Sequence, residues 1–158
     1  MNDIPTITKR RLQAEVIQPI YTEMVRVVGK DTAKLILTKA IRDSAMLEAK
    51  NFASRADETT TSLRSFIELF KLWTTEGALE IEIHEQTDTV FSFDVTRCKY
   101  AEMYRDMGLG HIGKLLSCNR DKVFCQGYDS NIQLEREQTI MDGSDRCTFR
   151  YRYTDSKS

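Results

Sequence analysis

Residues 95–121 contain the side chains of this chain that are best suited to chemistry. Alternating apolar residues stop at Arg97 and Cys98, and a helical pattern starts directly after them, which predicts that Cys98 lies at a strand-to-helix junction. The positive end of the helix dipole and the neighbouring guanidinium both favour a thiolate over a thiol. Since the thiolate is the nucleophilic and metal-binding form, Cys98 is a candidate nucleophile.

Cys118 is a second candidate nucleophile, and Asp121 follows it one helical turn later. The pattern predicts a helix from His111 to Cys118. If that helix is regular, its two ends are separated by about 10.5 Å of axial rise, so His111 and Cys118 cannot form a direct catalytic pair. His84 lies on the polar side of a predicted strand and should be solvated. Neither histidine is therefore expected to pair with a catalytic cysteine.

Arg97 ends the strand in which Phe91, Phe93 and Val95 alternate with polar residues. Strand parity places it on the same side as these apolar residues, which should face the helices. A guanidinium at the end of an apolar face needs an anion. A structural ion pair with an Asp or Glu would satisfy it, and so would a substrate carboxylate held by two parallel hydrogen bonds.

Cys147 alternates with aromatic residues along another predicted strand and should share their inward face. An inert buried thiol is the usual explanation of such a cysteine. The chain lacks the cysteine pairs, about two to four residues apart, that mark structural zinc sites. Three thiols converging with Asp121 could still hold zinc. We therefore expect no cofactor, with zinc as the open alternative.

The spacing of apolar residues predicts helices in the first half of the chain. Helical periodicity covers residues 8–29, where Pro19 should cause a kink or a break, and a second helix should start with Asp31 as its cap. A polar stretch at 54–62 predicts a connection. Ser62 can cap a third helix, whose aromatic stripe we interpret as core.

From residue 79 the period of the apolar residues changes to two, which is typical of strands. The alternation predicts one antiparallel hairpin at residues 79–83 and 91–95, and a second at residues 132–140 and 147–153. The fold class is therefore α+β, with N-terminal helices packed on an antiparallel sheet of about four strands and short helices inserted between the two hairpins.

Length and charge limit the function classes. The 158 residues suit a single domain, 1–158, with a helical layer at 1–75 and the sheet with its inserted helices at 79–153. The net charge is −1, with Lys and Arg scattered, which disfavours a nucleic-acid partner. No apolar run reaches the ~20 residues of a membrane span, and the N-terminus lacks a signal-peptide core. We expect a cytoplasmic protein without a membrane partner, in which cysteines are free or functional.

Three cysteine-containing motifs occur in order along the chain. They read FDVTRCKYAE at 93–102, LSCNRD at 116–121 and GSDRCTFRY at 143–151, with Gly108-Leu109 after the first and Glu15, Pro19-Ile20-Tyr21 and Gly29 near the start. With these motifs the chain resembles the L-2-amino-thiazoline-4-carboxylic acid hydrolase family of small bacterial proteins over nearly its whole length. Cys125 lies outside the pattern and is left out of the candidate site.

The resemblance implies a hydrolase that opens the ring of 2-aminothiazoline-4-carboxylate, a small substrate with a carboxylate, to N-carbamoyl-cysteine. A cysteine thiolate would attack the amidine-like carbon, expel the ring thiolate and form a covalent intermediate that water hydrolyses. Cys98, Cys118 and Asp121 are the implied catalytic residues, and Arg97 and Cys147 the implied substrate contacts. The helix dipole favours Cys98 as nucleophile and proximity to Asp121 favours Cys118, so the choice stays open.

A helical layer on a small sheet with scattered cysteines also resembles the small-molecule-sensing domains related to 4-vinyl reductase. That resemblance implies ligand binding without turnover and cysteine-bound zinc, which Cys-to-Ser changes would release. A third possibility is the same scaffold acting on another amidine or a thioester. A homodimer is plausible if the apolar stripe over residues 12–27 exceeds what one sheet can cover.

Overall fold

The computed structural model describes residues 4–55 and 60–155. In these ranges three helices come first, followed by four strands with three short helices between the second and third strands. The first helices are α1 (Thr6–Val28), α2 (Lys30–Ser54) and α3 (Leu63–Thr74). The remaining strands and α-helices are β1 (Leu79–Gln86), β2 (Val90–Cys98), α4 (Lys99–Asp106), α5 (Gly113–Leu116), α6 (Cys118–Tyr128), β3 (Ile132–Glu135) and β4 (Cys147–Tyr153).

The strands form one antiparallel sheet in the order β1-β2-β4-β3, so the predicted α+β class is confirmed. Ser62 caps α3 as expected, by accepting a hydrogen bond from the Ser65 amide. The aromatic stripe of α3 is core: the ring of Phe70 lies 5.0 Å from that of Phe93, between centroids. Residues 56–59, within the predicted polar connection, lie outside the described ranges.

The joint between α1 and α2 differs from the sequence expectation. α1 is one helix that includes Pro19, so a break at Pro19 is excluded. Gly29 ends α1 with a φ of +84°, a conformation that glycine adopts without strain. The predicted cap is wrong, because α2 starts directly after Gly29 without any side-chain cap, and Asp31 lies inside its first turn.

α1 turns its apolar stripe away from the core. Leu12, Val16, Ile20 and Val27 are 51%, 62%, 54% and 67% exposed. Its buried residues are instead Thr6, Arg10, Ala14 and Tyr21. The homodimer expected from this stripe stays a prediction. In the described part of the chain, no helix combines the length and apolar character needed to cross a membrane.

A β-bulge near the end of β2 reverses the orientation of the following residues. Val95 pairs with Ile81 and Arg97 with the preceding residue of β1, Glu80, so Thr96 has no register partner. One extra residue shifts side-chain parity by one position. The prediction that Arg97 faces the helices is therefore wrong: its side chain is 50% exposed.

The predicted helix from His111 to Cys118 is also wrong. The chain breaks at Ser117, with φ −122° and ψ −68°, and Cys118 begins α6 instead of ending a helix. Gly113, at the start of α5, packs so closely that a Cβ there would lie 2.8 Å from Met141 Sδ. Because α5 is tightly packed and the chain breaks after it, the residues that follow Cys118, including Asp121, lie in the first turn of a new helix.

Candidate functional site

The pairing of β2 with β4 brings two of the three cysteine motifs together. Val95 of β2 is the register partner of Cys147, the first residue of β4, and Cys98 ends β2. A negative charge on Cys147 would raise the pKa of Cys98, because the two thiols lie close to each other. The third motif arrives with Cys118 at the start of α6.

Cys98 lies at the strand-to-helix junction, as predicted. It caps α4, and its Sγ accepts a hydrogen bond from the Ala101 amide at 3.4 Å. Burial nevertheless raises the pKa of Cys98 to about 11, and this outweighs the hydrogen bonds from the backbone of Ala101 and Tyr100, which lower it. The pKa of Cys98 is therefore raised, whereas the sequence predicted that it would be lowered, so Cys98 is a thiol at neutral pH.

Cys118 and Cys147 are likewise held as thiols. Burial raises the pKa of Cys118, and the negative charge of Asp121 raises it further. Burial also raises the pKa of Cys147, whose Sγ accepts a hydrogen bond from the Ile140 amide at 3.2 Å. The charges of Asp121, Cys147 and Cys98 all act on Cys118. The fold thus gathers these four predicted site residues in one neighbourhood.

Asp121 forms the strongest contact of this neighbourhood. Its Oδ2 lies 2.6 Å from Nη1 of Arg136, whose Nη2 donates to the Cys118 carbonyl at 3.2 Å. The same guanidinium lies 5.0 Å from the centroid of the Phe149 ring. Burial raises the pKa of Asp121, although Arg136, Arg10 and Arg120 all lower it. A carboxylate with a raised pKa is better suited to accept and return protons than an ordinary aspartate.

Arg97 lies apart from this neighbourhood, on the solvent side of the sheet. Its Nε is 3.0 Å from Glu102 Oε1 and its Nη1 is 3.6 Å from Glu80 Oε1. The hydrogen bonds that Arg97 donates to Glu102 are the main cause of its raised pKa. Of the two partners left open by the sequence, the structure contains the ion pair, and the two glutamates occupy the guanidinium.

A small cavity lies between the first helices, α6 and the sheet. Its volume is about 20 Å³, which is enough for roughly one ordered water molecule. Its walls are Arg10, Ala45, Phe66, Phe70, Trp73, Arg120, Asp121, Phe124 and Tyr151. The cysteines are not among these residues, and Asp121 is the member of the predicted site that faces the cavity.

Three arginines near Asp121 were missed as site residues. Arg136 was detectable, because it continues the inward alternation of Ile132 and Leu134, and Arg120 lies inside the LSCNRD motif. Arg10 had no usable signal, since the apolar stripe of α1 assigned it to the outer face. It is nevertheless 3% exposed, because α1 packs with the opposite face inward.

A family model described as L-2-amino-thiazoline-4-carboxylic acid hydrolase matches residues 9–151. The chain belongs to this family. No curated protein sequence matches the chain.

Two solved structures share the fold of this family member. One is the phenol-responsive sensory domain of the transcription activator PoxR with phenol, with a TM-score of 0.55, 12% identity, and coverage of 87% of this chain and 73% of that one. The other is trafficking protein particle complex subunit 3 from Naegleria fowleri, covalently bound to palmitic acid, with a TM-score of 0.51, 13% identity, and coverage of 93% and 96%. At these identities the likeness concerns the fold alone.

In this family member, Asp121 connects two parts of the site. It faces the aromatic cavity, and its charge acts on the thiols of Cys98, Cys118 and Cys147. The arrangement places a carboxylate that can exchange protons beside a set of protonated nucleophiles. Over residues 4–55 and 60–155, no three His, Cys, Asp or Glu side chains are arranged to hold a metal ion.

Proposed function

We propose that this protein hydrolyses a cyclic amidine of the 2-aminothiazoline-4-carboxylate type to the corresponding N-carbamoyl thiol. Membership of the hydrolase family supplies the reaction class. The observation that carries the proposal is the position of Asp121, in the wall of an aromatic cavity and electrostatically coupled to Cys118. Its carboxylate, which pairs with Arg136 through Oδ2, is the group that can accept the proton of the nucleophile.

In the proposed mechanism Cys118 is the nucleophile and Asp121 accepts its proton. Asp121 is the largest electrostatic influence on Cys118 and a minor one on Cys98, which favours Cys118 of the two. The thiolate forms a bond to the amidine carbon, the bond from that carbon to the ring sulfur breaks, and the ring sulfur takes the proton from Asp121. Water then attacks the same carbon, Asp121 passes a proton of that water to Cys118, and Cys118 leaves as a thiol.

Cys98 and Cys147 support this nucleophile in the proposal. Both are neighbours of Cys118, and both are buried enough that their pKa values are raised. Neutral thiols beside Cys118 exclude water without adding charge. Free thiols also suit the reducing cytoplasm in which we place the reaction.

The test is a product assay with 2-aminothiazoline-4-carboxylate on the wild type and on Cys118→Ser, Cys98→Ser and Cys125→Ser. We expect Cys118→Ser to lower kcat by at least about 100-fold and Cys125→Ser to retain kcat within about threefold, because Cys125 lies outside the three cysteine motifs and its thiol donates to the Lys122 carbonyl. Mass spectrometry of the quenched wild type should show an adduct of one whole substrate. Full turnover by Cys118→Ser would refute the cysteine mechanism.

A second candidate is a ligand-binding domain without turnover. The shared fold with a phenol-responsive sensory domain favours it, and the aromatic walls of the cavity suit an apolar ligand. Metal analysis of the purified protein distinguishes a zinc-containing sensor from the hydrolase. Stoichiometric zinc that is lost with Cys118→Ser, together with a lower melting temperature and no product, would favour the sensor over the hydrolase.

A further inference from the structure

We propose that Arg120 and Arg10 bind the carboxylate of a small organic acid at the cavity beside Asp121. The inference deepens the proposed function and rests on it for the identity of the acid, a ring with an amidine at one end and a carboxylate at the other. It moves recognition of the carboxylate from Arg97, which was expected from the sequence, to two buried arginines that the fold brings together.

Arg120 has an unused hydrogen-bond donor in the interior. Only 5% of the residue is exposed. Its Nε donates to the Leu116 carbonyl at 2.8 Å and its Nη2 to Gln13 Oε1 at 3.4 Å. Its Nη1 has no hydrogen-bond partner among the described residues, and the oxygen of Glu48 is 3.9 Å away. A buried donor without a partner is costly, so a ligand atom that accepts from Nη1 would bind strongly.

The charges around Arg120 do not balance. Asp121 is occupied by Arg136 at 2.6 Å, and Glu48 lies 3.5 Å from Arg10 Nη2. Three guanidinium groups therefore share two carboxylates, which leaves a surplus of one positive charge. Burial lowers the pKa of Arg120 to about 10, and the charge of Arg10 contributes in the same direction. An anion beside Arg120 would reverse this effect.

The surroundings select a small carboxylate. Arg10 and Arg120 both line the cavity, whose other walls are mainly aromatic. The cavity of about 20 Å³ adjoins a surface groove of about 830 Å³, and Arg10 and Trp73 belong to the walls of both. The cavity holds little more than a carboxylate group, so it must widen beside Asp121 to admit the ring of the ligand.

The direct test is calorimetric titration with two ligands that lack the reactive amidine, thiazole-4-carboxylate and thiazole-4-carboxamide. The acid and the amide have nearly the same shape and differ in charge. We expect the wild type to bind the carboxylate at least about tenfold more tightly, because charge-assisted hydrogen bonds from guanidinium are stronger than those to a neutral amide. Equal affinities, or no binding of either ligand at millimolar concentration, would overturn the proposal.

Two variants with opposite expected effects on carboxylate affinity distinguish a change in the binding site from a general loss of structure. Arg120→Met keeps approximately the length of the side chain, removes the charge and should reduce carboxylate affinity towards that of the carboxamide, with Arg10 retaining part of the preference. Glu48→Gln removes the carboxylate that competes for both arginines and should tighten carboxylate binding several-fold. Arg97→Gln is the matched control and should leave both affinities unchanged. The proposal fails if Arg120→Met folds and binds the carboxylate like the wild type, or if Glu48→Gln folds and does not tighten binding.

Turnover of 2-aminothiazoline-4-carboxylate is measured separately, so that the two proposals can fail independently. Selective carboxylate binding that depends on Arg120, without any turnover, supports the binding site and refutes the hydrolase. Turnover with the same KM in Arg120→Met and the wild type supports the hydrolase and refutes the binding site. A KM raised about tenfold in Arg120→Met supports both.

Discussion

Two clusters of arginines and carboxylates in this molecule have opposite properties. The outer cluster lies on the open face of the sheet and consists of His84, Asp94, Arg146 and Arg150. The inner cluster lies beside the cavity and consists of Arg10, Glu48, Arg120, Asp121 and Arg136. In the outer cluster one carboxylate is bound by Arg150 at 2.9 Å, Arg146 at 3.0 Å and His84 at 3.2 Å. In the inner cluster Arg120 Nη1 has no partner among the described residues.

The pKa values express the same difference. In the outer cluster, burial alone would raise the pKa of Asp94, but hydrogen bonds from Arg150, Arg146 and His84 lower it to about 2. In the inner cluster, burial prevails and raises the pKa of Asp121. In the outer cluster both oxygens of Asp94 accept hydrogen bonds, so the cluster can stabilise the joint of β2 and β4. The inner cluster retains a donor without a partner among the described residues and a carboxylate with a raised pKa, which are properties of a binding site.

The largest expected effect is on turnover. Asp121→Asn should lower kcat by about 10²- to 10⁴-fold, the usual range for loss of a general base, whereas Asp94→Asn should change kcat by less than about threefold. The asparagine can still accept a hydrogen bond from Arg136, and a circular dichroism spectrum verifies the fold. Comparable losses in the two variants would remove the distinction between the clusters.

The next effect is on stability and concerns the outer cluster. Because the pKa of Asp94 is lowered from 3.8 to about 2, its stabilisation is fully present above about pH 4 and is lost as the pH falls through about 2. Its partners Arg146 and Arg150 are 43% and 35% exposed, so solvent screening leaves about 1–2 kcal/mol. Asp94→Asn should lose this amount in urea unfolding at pH 7, with a shallower stability decline between about pH 4 and 2. An unchanged acid decline would show that Asp94 is not held by its partners.

A smaller effect is expected on thiol reactivity. The negative charge of Asp121 raises the pKa of Cys118, so Asp121→Asn should lower it and increase the thiolate fraction at a given pH. Alkylation of Cys118 by iodoacetamide at pH 9, followed by peptide mass spectrometry, should become roughly three- to tenfold faster. Asp94→Asn is the control and should react like the wild type. A slower reaction in Asp121→Asn would contradict the electrostatic coupling.

The smallest effect is expected for Arg97. Its guanidinium is half exposed and paired with Glu102 and Glu80, and exposed pairs contribute little. Arg97→Gln should leave KM for 2-aminothiazoline-4-carboxylate within about twofold of the wild type and the melting temperature nearly unchanged. A KM raised about tenfold would return the carboxylate site to Arg97.

Local patterns were sufficient for most elements of this fold. Period-two alternation located β1, β2 and β4, and Ser62 marked the start of α3, because these signals depend on neighbours in sequence. The strand predicted for 132–140 is shorter than expected, since β3 ends at Glu135. Beyond it, the amides of Glu137 and Gln138 bond to the Thr148 hydroxyl instead of continuing the ladder.

The site was only partly predictable. Cys98, Cys118, Cys147 and Asp121 were found because their motifs are distinctive, and the proximity of Cys98 to Cys147 follows from the pairing of β2 with β4. The raised pKa of Cys98 was not predictable, since the helix dipole is a local effect and burial is a property of the whole fold.

The sequence by itself determined the family, the order of the strands, most of the helices and the cysteine motifs of the candidate site. Only the tertiary structure decided which arginines are inside. A single unpaired residue, Thr96, turns Arg97 to solvent, and long-range contacts with α2 and α6 bury Arg10. Both outcomes depend on residues distant in sequence, because strand register and helix orientation are set by the total packing and ion pairing of the chain and not by the periodicity of one segment.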